Sequence, residues 1–131
     1  PELASTVGEI YKRLPAAEQA QAAIFTHNAG EAAAIEIYGT SYGLPPVLSG
    51  NNNYWLWGTH GRSGNVLIDV NGSLRDDRLR FSSVELATIF RNPYAMPYEN
   101  NLRIYVCRGI RRPLAAFWPK LRNYSYGFDG L

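Results

Sequence analysis

Apolar residues at Leu3, Val7, Ile10 and Leu14 recur at spacings of four, three and four, which predicts an amphipathic helix that Pro15 stops. Ala22–Thr26 is a short apolar run and reads as a buried strand. His27-Asn28-Ala29-Gly30 is a turn, and Glu31 then opens an alanine-rich helix to about Tyr38. An acid in that first turn suits the positive end of the helix dipole. Gly39 and Gly43 end the helix, and Pro45-Pro46 forbids its resumption.

Val47-Leu48 predicts a second short strand, and Asn65–Val70 (NVLIDV) is the clearest buried strand in the chain. Between them, Asn51-Asn52-Asn53 can cap a compact helical turn over Tyr54–Trp57, followed by a glycine-rich loop at Gly58–Gly64. Ser73 is placed to cap a short helix over Leu74–Leu79. Phe81–Phe90 reads as a strand broken by Asn92-Pro93, and Arg103–Cys107 as the last strand, ended by Gly109. Pro113–Leu121 reads as a closing helix. Strands separated by helical segments predict an α/β fold: a small, doubly wound, mostly parallel sheet of about five strands between helices, a Rossmann-like three-layer sandwich.

The chain has 131 residues, 46% of them hydrophobic and 18% charged, which suits one domain (1–131) with its core in 20–122. No run approaches the length of a membrane span. A single cysteine, Cys107, excludes an internal disulfide and a cysteine-based zinc site, and is expected to be an inert core thiol. The chain opens on Pro1 rather than Met, so it is expected to be a piece of something longer.

The net charge of +2 hides an asymmetry, because residues 1–70 carry −3 and residues 71–131 carry +5. Eleven of the thirteen basic residues are arginine, which pairs bidentately with phosphate and carboxylate. The simplest account is a solvated surface with local ion pairs, such as Arg75-Asp76-Asp77-Arg78. Nucleic acid is not expected as a partner, since no dense basic stripe and no known binding signature is present.

Several sets of residues carry candidate chemistry. The turn around Asn28 and Glu31 follows the first core strand, at the edge where open α/β sheets bind ligands. No GxGxxG follows it, so a dinucleotide is not expected. Asn51, Asn52, Asn53, Tyr54, Trp55 and Trp57 combine amides with flat aromatic faces. Amides match sugar hydroxyls and an indole stacks on a pyranose face, although capping asparagines and core tryptophans would look the same. His27 and His60 show no metal-ligand spacing. A serine triad can be written on paper from Ser49, His27 or His60, and Glu31 or Asp69, but no GxSxG elbow supports it. Glu85 and Glu99 can be paired as glycosidase carboxylates only in principle.

Taken together, the Asn28-Ala29-Gly30-Glu31-Ala32 turn, Tyr38-Gly39, Gly43-Leu44-Pro45-Pro46 and Ser49-Gly50-Asn51-Asn52-Asn53-Tyr54-Trp55-Leu56-Trp57-Gly58 form an ordered set of motifs. The tail stretches Ile104–Gly109, Pro113-Leu114 and Phe117-Trp118-Pro119 extend it, so that it spans roughly residues 20–122. The set resembles the extramembrane C-terminal domain of bacterial membrane glycosyltransferases of the dolichyl-phosphate-mannose–protein mannosyltransferase-like family (glycosyltransferase family 39). The family usually has an aromatic near the position of Ala29. The resemblance implies a parent enzyme that moves a sugar from a polyprenyl-phosphate donor on the periplasmic, extracytoplasmic face of the cytoplasmic membrane. Its catalytic acid would lie in a part absent here, so no residue of this chain is carried over as catalytic. The implied role is an acceptor- or glycan-binding or stabilising module, with residues 1–15 leading from a membrane portion, that portion and a polyprenyl-phosphate-linked sugar as partners, and no cofactor of its own. Two alternatives stand beside it: a free-standing α/β domain for a small anionic or phosphorylated ligand, and a purely structural domain.

Overall fold

A computed structural model describes residues 2–27, 29–49, 63–91 and 101–121. The elements run α1 (Glu2–Arg13), α2 (Ala16–Gln21), β1 (Ala23–Thr26), α3 (Ala29–Gly39), a 3₁₀ turn (Thr40–Tyr42), β2 (Val47–Ser49), β3 (Val66–Val70), α4 (Leu74–Arg80), β4 (Phe81–Arg91), β5 (Asn101–Ile110) and α5 (Leu114–Leu121). The predicted first helix, both early strands, the NVLIDV strand and the Ser73-capped helix are all present. The Ser73 Oγ accepts a hydrogen bond from the Asp76 N–H at 3.3 Å.

The fold is α/β, with a five-stranded mixed sheet in the order β2-β1-β3-β5-β4. β1 pairs in parallel with β2 and β3, whereas β5 runs antiparallel to both β3 and β4. The expected mostly parallel sheet is therefore corrected to a half-parallel one. The reason is chain length: nine residues separate Arg91 from Asn101, and a parallel crossover needs a dozen or more. Gly109 also lies inside β5 instead of ending it. It adopts φ 70°, and a side chain there would strike the Ser82 Oγ on β4.

Alternation along the strands divides the core in two. Ile24, Val66, Ile68, Val70, Ile104 and Val106 face one side, where Val7, Ile10 and Leu14 of the N-terminal segment and Ala32 and Ile35 of α3 cover them. Ala23, Phe25, Leu67, Tyr105 and Cys107 face the other side, against Phe81, Leu74 of α4 and Leu114 of α5. Asp69 is paired in register with Phe25 and belongs to this second face. α2 was not expected; its sequence AAEQAQ has no apolar period and buries none of its residues. It is held to the rest by Glu18, which accepts from Arg108 Nε on β5 at 2.8 Å.

Candidate functional site

β1 leads through α3 to β2 on one side of it, while β3 leads through α4 toward β4 on the other side. The carboxyl ends of β1 and β3 thus form a point where successive connections diverge, and in open α/β sheets ligands bind in the crevice at such a point. His27, immediately after β1, and Asp69, near the end of β3, meet there. His27 Nε2 donates to Asp69 Oδ1 at 2.8 Å. Asp69 is nearly sealed, with a side chain 3% exposed, while the His27 side chain is 35% exposed. The Phe25 ring stands edge-on to the imidazole, with centroids 5.0 Å apart, and fixes its plane from below.

A second acid supports the first. Asp77 projects from α4 onto the sheet and is 2% exposed. Its Oδ2 and that of Asp69 both crowd the hydrogen side of the Gly72 Cα; a Cβ built there would lie 2.8 Å from Asp77 Oδ2 and closer still to Asp69 Oδ2. Burial, then the hydrogen bond and charge of Asp69, push the Asp77 carboxyl up to about 9, against the opposing effects of the Cys107 thiol and the Arg80 charge. An ionised Asp77 would leave its buried Oδ2 with no donor among the described residues. A protonated one donates to Asp69. Asp77 therefore keeps its proton through neutral pH and offers it to Asp69.

The imidazole answers to the same charges. Burial lowers the His27 pKa, but the Asp69 charge and hydrogen bond, with the charge of Glu31, outweigh it and the Arg80 charge, so the net shift is upward. Below the pair, burial and the neighbouring Asp77 and Asp69 carboxyls push the Cys107 thiol up, out of the reactive range. Beside the pair is a cavity of about 20 Å³, large enough for roughly one water or one small substituent; Phe25, Phe81, Phe117 and Leu114 wall it, and His27, Asp69, Asp77 and Arg80 form its polar side.

Of the residues singled out from sequence, Glu31 is described: it lies in the first turn of α3, 8% exposed, at the same edge as His27. Asn28, Asn51, Asn52, Asn53, Tyr54, Trp55 and Trp57 lie outside the described residues, as do His60 and Glu99. Of the paper triad, His27 and Asp69 do meet, but Ser49 is fully buried at the end of β2 and offers no exposed nucleophile. Glu85 instead accepts from Arg108 at 3.0 Å. Asp77 was read as part of a solvated run of ion pairs, and the structure corrects this. A sequence signal existed, because Asp77 lies three residues after Leu74 and four before Phe81, on the helical face that turns inward.

What the edge can do chemically follows from its groups. Among the described residues it offers an oriented imidazole over buried carboxyls, with a carboxylate from Glu31 close by and the guanidinium of Arg80. The negative charge of Asp69 and Glu31 beside the imidazole makes that set suit a neutral polar group better than a free anion. Among the described residues, no group of three or more His, Cys, Asp or Glu side chains is arranged to hold a metal ion, and no helix is long and apolar enough to cross a membrane. No family model, no curated protein and no solved structure matches this chain.

Proposed function

We propose that this chain is the extracytoplasmic, non-catalytic module of a membrane-bound glycosyltransferase that uses a polyprenyl-phosphate sugar donor, and that it holds a glycan at the carboxyl edge of β1 and β3. The parallel half of the sheet, β2-β1-β3, serves as the Rossmann-like part of that module. The observation that carries the binding role is the His27–Asp69 pair at 2.8 Å, aimed at the edge where α/β sheets take ligands and close to Glu31 in the first turn of α3. The part-exposed His27 imidazole, oriented by Asp69, suits a sugar hydroxyl, and the stretch from Asn51 to Trp57, outside the described residues, carries in its sequence the amides and aromatic faces that sugars also use. A free phosphate suits the edge less well, since Glu31 already brings a negative charge to the N-terminal turn of α3.

The test is calorimetric titration of the chain with neutral oligosaccharides and, separately, with inorganic phosphate. Glycan binding that weakens about tenfold or more in Asp69→Asn supports the proposal, because a hydrogen bond to a charged group contributes about 1.5–3 kcal/mol. Phosphate binding without glycan binding would replace it with an anion-binding role. Parentage is tested separately by reading the gene on either side of this chain for repeated apolar spans of about 20 residues.

A further inference from the structure

α4 is docked by an acid. Of its residues Leu74–Arg80, Asp77 is the buried one, whereas Leu79 is 69% exposed. An amphipathic helix ordinarily presents an apolar side chain at the inward position. Here the inward carboxyl meets Asp69 from β3, the Cys107 thiol from β5 and the Arg80 charge from its own helix. Beyond Asp69 stand His27 after β1 and Glu31 at the start of α3. The Gly72 turn closes over both carboxyl groups. Arg80 is drawn partly away, with its guanidinium 5.9 Å from the centroid of the Phe117 ring.

We propose that the proton shared by Asp69 and Asp77 is a latch that holds α4 on the sheet, and that its loss releases α4 and opens the floor of the His27 edge. With the proton in place the two carboxyl groups attract each other and the helix is docked. Without it, two like charges face each other in a sealed space, and the half-buried Leu74, the hydrogen bonds from Arg111 to the Arg78 and Arg80 carbonyls and the Arg80–Phe117 contact are left to oppose that repulsion. The sign follows from linkage. Asp77 keeps its proton in the docked state up to about 9, and an exposed aspartate loses it near 3.8. Docking is therefore strongest in acid and weakens as pH rises through neutrality toward that upper value. The latch does not depend on what the edge binds.

Amide hydrogen exchange of the intact chain across that pH range is the test. Between the two pKa values, each opening releases one proton. The protection of α4 amides should therefore fall about tenfold per pH unit, after correction for intrinsic exchange. Amides of β3 should stay better protected throughout, and Asp77→Asn, which can donate to Asp69 without titrating, should abolish the pH dependence in α4. Equal protection of α4 and β3 at every pH in the unaltered protein would overturn the latch, since α4 would then open only with the whole fold. So would an unchanged pH dependence in Asp77→Asn. If that variant does not fold, the comparison of α4 with β3 decides alone.

Discussion

Replacing Gly72 by alanine adds one methyl group at the point where the acid pair is tightest. The new Cβ would stand 2.8 Å from Asp77 Oδ2 and nearer to Asp69 Oδ2. Both are the ends of short side chains, and Asp69 is further tied to His27 at 2.8 Å, so neither swings away without breaking a bond already made. Overpacking of this kind costs about 1–3 kcal/mol. Alanine also lowers the entropy of the unfolded chain, which returns about 0.4–1 kcal/mol. The net expectation is a loss of about 1–2 kcal/mol. For a chain of this size that is a fall in Tm of roughly 4–8 °C, between the values for smaller and larger domains. Urea denaturation followed by circular dichroism reads it as a lower midpoint at unchanged slope. The variant should also shift the His27 ring resonances, because Asp69 must move. A Gly72→Ala protein within about 0.5 kcal/mol of the original, the range of ordinary surface substitutions, would mean that the two carboxyl groups do not meet over this turn.

The remaining expectations follow from burial and charge. Ile68→Ala, at a fully buried position of the central strand, should cost about 2–5 kcal/mol by chemical denaturation. Ser73→Ala removes the side-chain cap on the Asp76 N–H and should cost about 0.5–2 kcal/mol in the same assay. Cys107 should resist a thiol reagent in the folded protein and react once denaturant is added, since it is buried and its pKa is pushed up by that burial and by the adjacent acids. His27 has a raised pKa, so its contribution is complete below the ordinary value of 6.5 and fades as pH climbs through the folded one. Denaturation midpoints measured between about pH 5 and 8 should fall less steeply in His27→Ala than in the original protein, the slope that remains coming from Asp77.

Much of the fold was legible because local pattern and tertiary burial agree. Leu3, Val7, Ile10 and Leu14 mark a helical face, and Val7, Ile10 and Leu14 are buried against the sheet. The NVLIDV run is a central strand with every residue of Val66–Val70 buried. The antiparallel β5 went unread because a strand carries no mark of its direction; only the short connection from Arg91 to Asn101 holds that information. α2 was invisible because its sequence has no buried face to set a period. The site was half legible. The turn after β1 was identified by its position, and Glu31 does stand at that edge. The acid pair was hidden, because Asp77 sits among Arg75, Asp76 and Arg78, where charge normally means solvent. Its partners, Asp69, brought over Gly72 by the reversal of the chain after β3, and the Cys107 thiol, come from distant parts of the chain.

The central claim is that the His27–Asp69 edge is where this protein meets a hydroxyl-rich ligand. The most direct measurement follows the His27 ring by nitrogen–proton correlation NMR while a neutral oligosaccharide is added to the intact chain. The account predicts saturable shifts at His27 that disappear in Asp69→Asn. Saturable binding that leaves the His27 ring unmoved, or no binding at all, would contradict it.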